Sequence, residues 1–152
     1  YSLENIVNGD WALQTATIMF KWDVLNIEHY SKYRIKTDTV LVYELLKQGL
    51  GYIMDAPMSL YRIHDFGVWS GIDNVKQWER CVDMLLSIHE IENSAVSAKL
   101  VRTSPPPPIG RRDYLINIKL TIKILLIVGE YYGWKYLIKW VCKKFILGKD
   151  LG

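Results

Sequence analysis

Residues 58–71, MSLYRIHDFGVWSG, hold the side chains of this 152-residue chain that are best suited to chemistry. In an extended strand alternate side chains share a face, so Arg62 and His64 are predicted to project together while Tyr61 and Ile63 face the other way. An arginine beside a histidine suits a phosphate or a metal-bound diphosphate. On spacing alone the simpler interpretation is favoured, namely a surface cation and a hydrogen-bonded structural histidine.

Trp69 follows in a segment, Gly67-Val68-Trp69-Ser70-Gly71, that has a glycine at each end of a large aromatic ring. This composition is typical of a loop that moves over a ligand. The alternative is that Trp69 anchors the core.

Asp38 stands at the predicted start of a helix, where Thr37-Asp38-Thr39 precedes VLVYELLKQ and Gly49 ends the apolar pattern. A carboxylate there suits the positive end of the helix dipole, which is a sufficient structural reason for an aspartate. A chemical role needs further support.

The elements that must position these residues alternate between helix and strand. We predict strands over residues 11–20, 51–54 and 58–64, a turn at Asp55-Ala56-Pro57, and a polar helical turn within residues 24–36. An amphipathic helix is predicted over residues 73–92. A proline-rich linker at residues 104–110 then leads to a helical pattern over residues 113–147.

The motif YRIHxxGVWSG, preceded by a helix and a short hairpin, resembles the end of the catalytic domain of family 2 glycosyltransferases. The resemblance implies an α/β fold, the C-terminal half of a GT-A domain over residues 1–72, followed by an α-helical C-terminal extension. In that family an acidic residue that opens the helix before the hairpin is the catalytic base, and Asp38 matches it. His64 matches a histidine near the metal, and the resemblance makes Arg62 and Trp69 substrate-binding residues.

A second aspartate, in Gly9-Asp10-Trp11, matches the literal form in which the family often writes its acidic motif. Asp10 lies 51 residues before Tyr61, whereas Asp38 lies 23 residues before it, which is room for one helix and two short strands. We therefore assign the base to Asp38. Residues 10–21 instead resemble the buried strand that precedes the acidic motif, with Lys21 at its basic end.

The resemblance implies an inverting transfer from a nucleotide sugar to an acceptor hydroxyl, in bacterial surface polysaccharide synthesis. It also implies a divalent metal, Mn or Mg, held mostly by an upstream Asp-x-Asp motif. No such triplet occurs in the 152 residues. We therefore expect this chain to be the C-terminal part of a longer enzyme and inactive alone.

Charge divides unevenly along the chain. Residues 1–110 hold 10 Lys/Arg against 13 Asp/Glu, and residues 111–152 hold 9 against 3. The two cysteines, Cys81 and Cys142, form no CxxC pair, so the sequence predicts neither a disulfide framework nor a cysteine-based zinc site, and a reducing compartment is expected. Composition, half hydrophobic and 23% charged, excludes a disordered chain.

Residues 111–152 interleave lysines with aliphatic and aromatic residues, and Lys119, Lys123 and Glu130 interrupt any run long enough to cross a bilayer. Two interpretations stay open: a helix at an anionic membrane surface, or a helical pair packed on the preceding domain with its lysines outward. Nucleic acid is not expected as a partner.

Four segments are thus expected: a transferase part (1–72), an amphipathic helical segment (73–103), the linker (104–110) and a basic helical tail (111–152). The expected partners are a nucleotide-sugar donor, a glycan or lipid-linked acceptor and an anionic membrane. The expected location is cytoplasmic, peripheral at the inner face of the cell membrane. The rival hypothesis is a non-catalytic membrane- or partner-binding module derived from a transferase.

Overall fold

The computed structural model describes residues 1–11, 15–57, 59–60, 67, 69, 71–104 and 114–141, and these form a bundle of short and long α-helices. The helices in chain order are α1 (Leu3–Val7), α2 (Ile27–Ser31), α3 (Asp38–Gln48), α4 (Asn74–Glu92), α5 (Ala95–Arg102), α6 (Tyr114–Tyr132) and α7 (Trp134–Val141). Two 3₁₀ turns, Thr15–Thr17 and Trp22–Val24, precede α2.

The long helix α4 contacts both α5 and α6. Helix α5 also touches α1, and α3 contacts α1 and α2. The core consists of side chains at three- and four-residue intervals on these helices, which places them on one face of each helix. Its most deeply buried members are Tyr33, Val40, Tyr43, Val82, Ile88, Ala98, Val101 and Val128.

Side-chain caps set where the helices begin. The Asp73 carboxylate accepts the Lys76 backbone N–H at 2.9 Å and so starts α4, and Ser94 does the same for α5 through Ser97. Between α4 and α5, Asn93 adopts a left-handed backbone conformation with φ of 40°, which ends α4 directly before the Ser94 cap of α5.

The predicted α/β fold, a GT-A half-domain, is wrong for the described residues, which contain no strand or sheet. Of the predicted strand over 11–20, residues 12–14 lie outside the described part of the chain, and the rest contains the turn Thr15–Thr17 and irregular backbone at 11 and 18–20. Residues 51–54 are irregular as well. Side chains there stay largely in solvent, as with Met19 at 81% and Tyr52 at 90% exposure. Residues 58 and 61–66 of the third predicted strand lie outside the described part of the chain.

The helical predictions are confirmed. Helix α3 begins at Asp38 and stops before Gly49, α4 covers the predicted 73–92 segment, and α2 is the helical turn predicted within residues 24–36. The helical pattern of the tail gives α6 and α7, and Gly133, with φ of +82°, turns the chain between them. Residues 105–113 and 142–152 lie outside the described part.

The last two helices pack against the rest of the bundle through one face. Ile124, Val128 and Leu137 are buried there, and Arg102 of α5 lies over the Tyr132 ring at 5.0 Å while its guanidinium donates to the Tyr136 hydroxyl. No helix of the described chain is both long and apolar enough to cross a membrane.

Candidate functional site

Asp38 is the first residue of α3, where the helix dipole favours a negative charge. The Thr37 hydroxyl caps the helix by accepting the Val40 backbone N–H at 3.5 Å, so the Asp38 carboxylate is not needed for that bond. Its Oδ1 instead accepts the neighbouring Thr39 N–H at 2.9 Å. Asp38 is half-buried. The pKa of Tyr30 is raised by the partial burial of its own phenol and by the negative charge of Asp38.

Trp69 lies in a tight turn ahead of α4, closed by a hydrogen bond from the Gly71 N–H to the Gly67 carbonyl at 2.7 Å. The side-chain amide of Gln77 donates to the Trp69 carbonyl at 3.1 Å and holds the turn against the first coil of the helix. The indole is 45% exposed, so Trp69 does not act as a fully buried core anchor. Its ring is accessible to a ligand.

The other two predicted site residues, Arg62 and His64, lie outside the described residues. Asp38 and Trp69 stand on separate elements, the start of α3 and the turn before α4. The convergence of all four residues on one substrate therefore stays a prediction. Asp10, the rejected alternative, is exposed and follows the end of α1, where it accepts a hydrogen bond from the Asn5 amide at 3.2 Å.

An open groove of about 460 Å³ runs along the second half of α3. Its lining residues are Tyr1, residues 17–21, Val24, residues 49–53 and, from α3, Val42, Leu45, Leu46 and Gln48. Asp38, at the opposite end of the helix, is not one of its lining residues.

A polar cluster joins α2, α3 and the end of α4. His29 Nδ1 lies 3.0 Å from Glu44 Oε2, and Lys47 Nζ lies 3.3 Å from the same oxygen and 2.8 Å from Glu92 Oε1. The Tyr33 hydroxyl bridges the two carboxylates, at 3.0 Å from Glu44 and 2.5 Å from Glu92. We call these five side chains the Glu44 cluster.

Burial and pairing set the electrostatics of the Glu44 cluster. The Glu44 side chain is only 1% exposed and that of Glu92 13% exposed. Burial acts to raise the pKa of Glu92, but hydrogen bonds from Lys47 and Tyr33 outweigh it and hold that pKa below its usual value. Burial and the two carboxylates raise the pKa of Tyr33. Since both carboxylates accept hydrogen bonds inside the cluster, we interpret the cluster as a polar connection between α2, α3 and α4.

His29, Glu44 and Glu92 place their ligand atoms within 4.8 Å of one another, which is close enough for a metal ion. However, the Lys47 ammonium already contacts the same two carboxylate oxygens. A divalent ion would meet that positive charge at close range, so the cluster does not fit a resident metal. It supplies no replacement for the metal site that the resemblance implies through His64.

Sequence reasoning missed the Glu44 cluster because its members are separated by up to 63 residues. One signal was present. Glu44 follows Tyr43 and stands four residues after Val40 on the buried face of α3, and a carboxylate at such a position needs a partner. The sequence does not say which partner.

Comparison of the chain with protein-family models, with curated proteins and with solved structures found no match.

Proposed function

We propose that this chain is the C-terminal part of an inverting, nucleotide-sugar-dependent glycosyltransferase, with Asp38 as its catalytic base. The observation that carries the proposal is the position of Asp38 as the first residue of α3, followed by a helix that stops before Gly49. The resemblance places the base at such a helix start; it also places a hairpin after that helix, where residues 51–54 are irregular instead. The motif YRIHxxGVWSG, 23 residues further on, supports the same assignment.

In the proposed reaction the Asp38 carboxylate takes the proton of an acceptor hydroxyl. The acceptor oxygen then forms a bond to the anomeric carbon, and the bond from that carbon to the diphosphate breaks on the opposite side, which inverts the configuration. A general base of this kind contributes about 10²- to 10⁴-fold to rate. Asp38 is half-buried at the start of α3.

The remaining assignments rest on the resemblance. Arg62 contacts the donor phosphates and Trp69, whose ring is 45% exposed, stacks on a sugar. His64 would help to hold the divalent metal, which would offset charge on the departing diphosphate. By the same resemblance, the other metal ligands and the nucleotide site would be supplied by an Asp-x-Asp segment that these 152 residues do not contain.

We place the enzyme in bacterial surface polysaccharide synthesis, with a glycan or lipid-linked acceptor, as a peripheral protein at the inner face of the cell membrane. The finding that no described helix could span a bilayer is compatible with peripheral attachment.

The test is Asp38→Asn in the full-length native protein, with Asp10→Asn as a matched control. We expect kcat to fall by about 10²- to 10⁴-fold in Asp38→Asn, with an unchanged far-UV circular dichroism spectrum. Asp10→Asn should keep normal transfer. Near-normal transfer by a folded Asp38→Asn protein would contradict the assignment of the base.

The second candidate is a non-catalytic binding module, and the helical architecture of the described residues favours it. The two candidates differ in one outcome. A native protein that transfers no sugar from any nucleotide sugar, before any substitution is made, would support the binding module.

A further inference from the structure

The outward face of α6 carries aliphatic side chains in solvent. Ile118, Ile122 and Leu126 are 37%, 48% and 53% exposed. Their four-residue spacing places them in one stripe along the helix. Ile124 and Val128, which point into the bundle, are 2% and 0% exposed. The exposed stripe is therefore additional to the core contact that holds α6 in place.

Helix α7 extends this stripe. Trp134 and Ile138, again four residues apart, are 61% and 66% exposed, whereas Leu137 between them is 6% exposed. The Trp134 ring lies directly against α6, since a Cβ atom added at Gly129 would come within 3.2 Å of it. Gly129 thus leaves room for the indole to lie beside the α6 stripe, so the two helices present one apolar surface.

Lysines border this surface in a regular way. A lysine directly follows four of its five apolar residues, in the pairs Ile118-Lys119, Ile122-Lys123, Trp134-Lys135 and Ile138-Lys139. One residue further along a helix is a rotation of about 100°, so within each of the two helices the lysines lie on one side of the apolar residues. We call these nine residues the lysine-bordered stripe.

The charges of the stripe are mostly uncompensated. No ion pair among the described residues includes Lys119, Lys135 or Lys139. Lys123 is near Asp83, whose pKa it helps to lower. Glu130 is the one acidic residue in the described part of α6 and α7, so the surface is net positive.

The combination of aliphatic residues, an exposed indole and a lysine border fits one class of partner. A protein partner of matching shape would have to supply both an apolar strip and a row of carboxylates. An anionic bilayer supplies both at once, because acyl chains accept the aliphatic side chains and phosphate headgroups meet lysines that extend along the surface. The indole is suited to the headgroup level between these regions.

We propose that the lysine-bordered stripe is a membrane-docking surface that selects anionic phospholipids and seats α6 and α7 in the plane of the interface. The proposal deepens the proposed function, on which it rests only for the choice of the inner leaflet. Residues 142–152 add Lys143, Lys144 and Lys149 to the same end of the chain.

The test is co-sedimentation of the full 152-residue chain with vesicles of phosphatidylcholine alone or with 30% phosphatidylglycerol. We expect binding to the anionic vesicles only, weakened by salt. Replacing the four stripe lysines by glutamine should lower the affinity by about a hundredfold or more. The matched control replaces four exposed lysines elsewhere, at positions 21, 32, 36 and 76, and should bind nearly as the unmodified chain does.

A second variant, Ile122→Ser with Leu126→Ser, tests the apolar part and should lower binding by at least about tenfold. Three outcomes would overturn the proposal: no binding to anionic vesicles, equal losses in the stripe and control variants, or a dimer in lipid-free buffer that the serine variant abolishes. The last outcome would mean that a second copy covers the stripe. None of these measurements needs a nucleotide sugar, so they fail separately from the Asp38→Asn test.

Discussion

The Glu44 cluster and the lysine-bordered stripe hold charge in opposite ways. In the cluster, Glu44 is 1% exposed and its carboxylate meets His29, Tyr33 and Lys47 within 3.3 Å. In the stripe, lysines are exposed beside exposed aliphatic residues. The charged groups of the cluster are paired with one another, whereas no ion pair among the described residues includes Lys119, Lys135 or Lys139 of the stripe.

This difference separates structural charge from charge that is available to a partner. A buried carboxylate with three partners costs much to remove and offers nothing to a ligand. Exposed lysines contribute little to stability and cost little to remove, so they are free to serve binding. We therefore expect substitutions in the cluster to act on folding and substitutions in the stripe to act on membrane binding.

The largest expected effect comes from Glu44→Ala. It removes the buried carboxylate that Tyr33, His29 and Lys47 contact and leaves Lys47 paired with Glu92 alone, and we expect the free energy of unfolding to fall by about 2–5 kcal/mol. Urea unfolding followed by circular dichroism measures this. Glu28→Ala, at a side chain that is 89% exposed, is the matched control and should cost less than about 1 kcal/mol. Equal losses of unfolding free energy in the two variants would show that the buried cluster contributes no more to stability than an exposed surface pair does.

The next effect is on acid stability. Because the pKa of Glu92 is lower in the folded protein than in the unfolded chain, its ionisation stabilises the fold above the unfolded pKa. That contribution is lost as pH falls through the folded pKa. Glu92→Gln should therefore flatten the decline of stability between about pH 5 and pH 3, measured as urea midpoints. An unchanged slope would show that Glu92 gains no stabilisation from Lys47 and Tyr33.

The smallest effect is expected at Arg34, which pairs with Asp83 at 2.8 Å and with Glu90 at 3.4 Å on the surface. Its side chain is 49% exposed, so solvent screens the pairs. Arg34→Ala should cost about 0.2–1 kcal/mol, and less in high salt. A loss as large as that of Glu44→Ala would mean that the exposure of a charged side chain does not predict its contribution to the stability of this protein.

Sequence patterns predicted the helices well where apolar residues recurred over many turns. Helix α4 follows from Trp78, Val82 and Leu85 at three- and four-residue spacing after the cap at Asp73. Helix α3 follows in the same way from Val42 and its neighbours.

The predicted strands failed because their segments were short and had no clear period. Apolar runs such as residues 11–20 and 51–54 are ambiguous, and a strand forms only where another strand pairs with it. In the described residues, no such partner is present. A local sequence pattern carries no information on that partner.

For the candidate site too, sequence patterns predicted the local features and missed the contacts between helices. Asp38 could be placed at a helix start because capping is a local property, and the apolar-lysine alternation of the tail is visible directly in the sequence. The contact of Glu44 with Glu92 through Lys47 depends on how α3 and α4 pack, which no local pattern fixes.

The most direct test of the central claim, that the stripe faces lipid while buried charge serves the fold, is quenching of tryptophan fluorescence by brominated acyl chains in anionic vesicles. Two variants of the full chain are compared: Trp134→Phe in the stripe and Trp22→Phe, at an indole that is 70% exposed elsewhere. We predict that Trp134→Phe removes much of the quenching and Trp22→Phe leaves it unchanged. Quenching that is absent, or that depends on Trp22 and not on Trp134, would contradict the account.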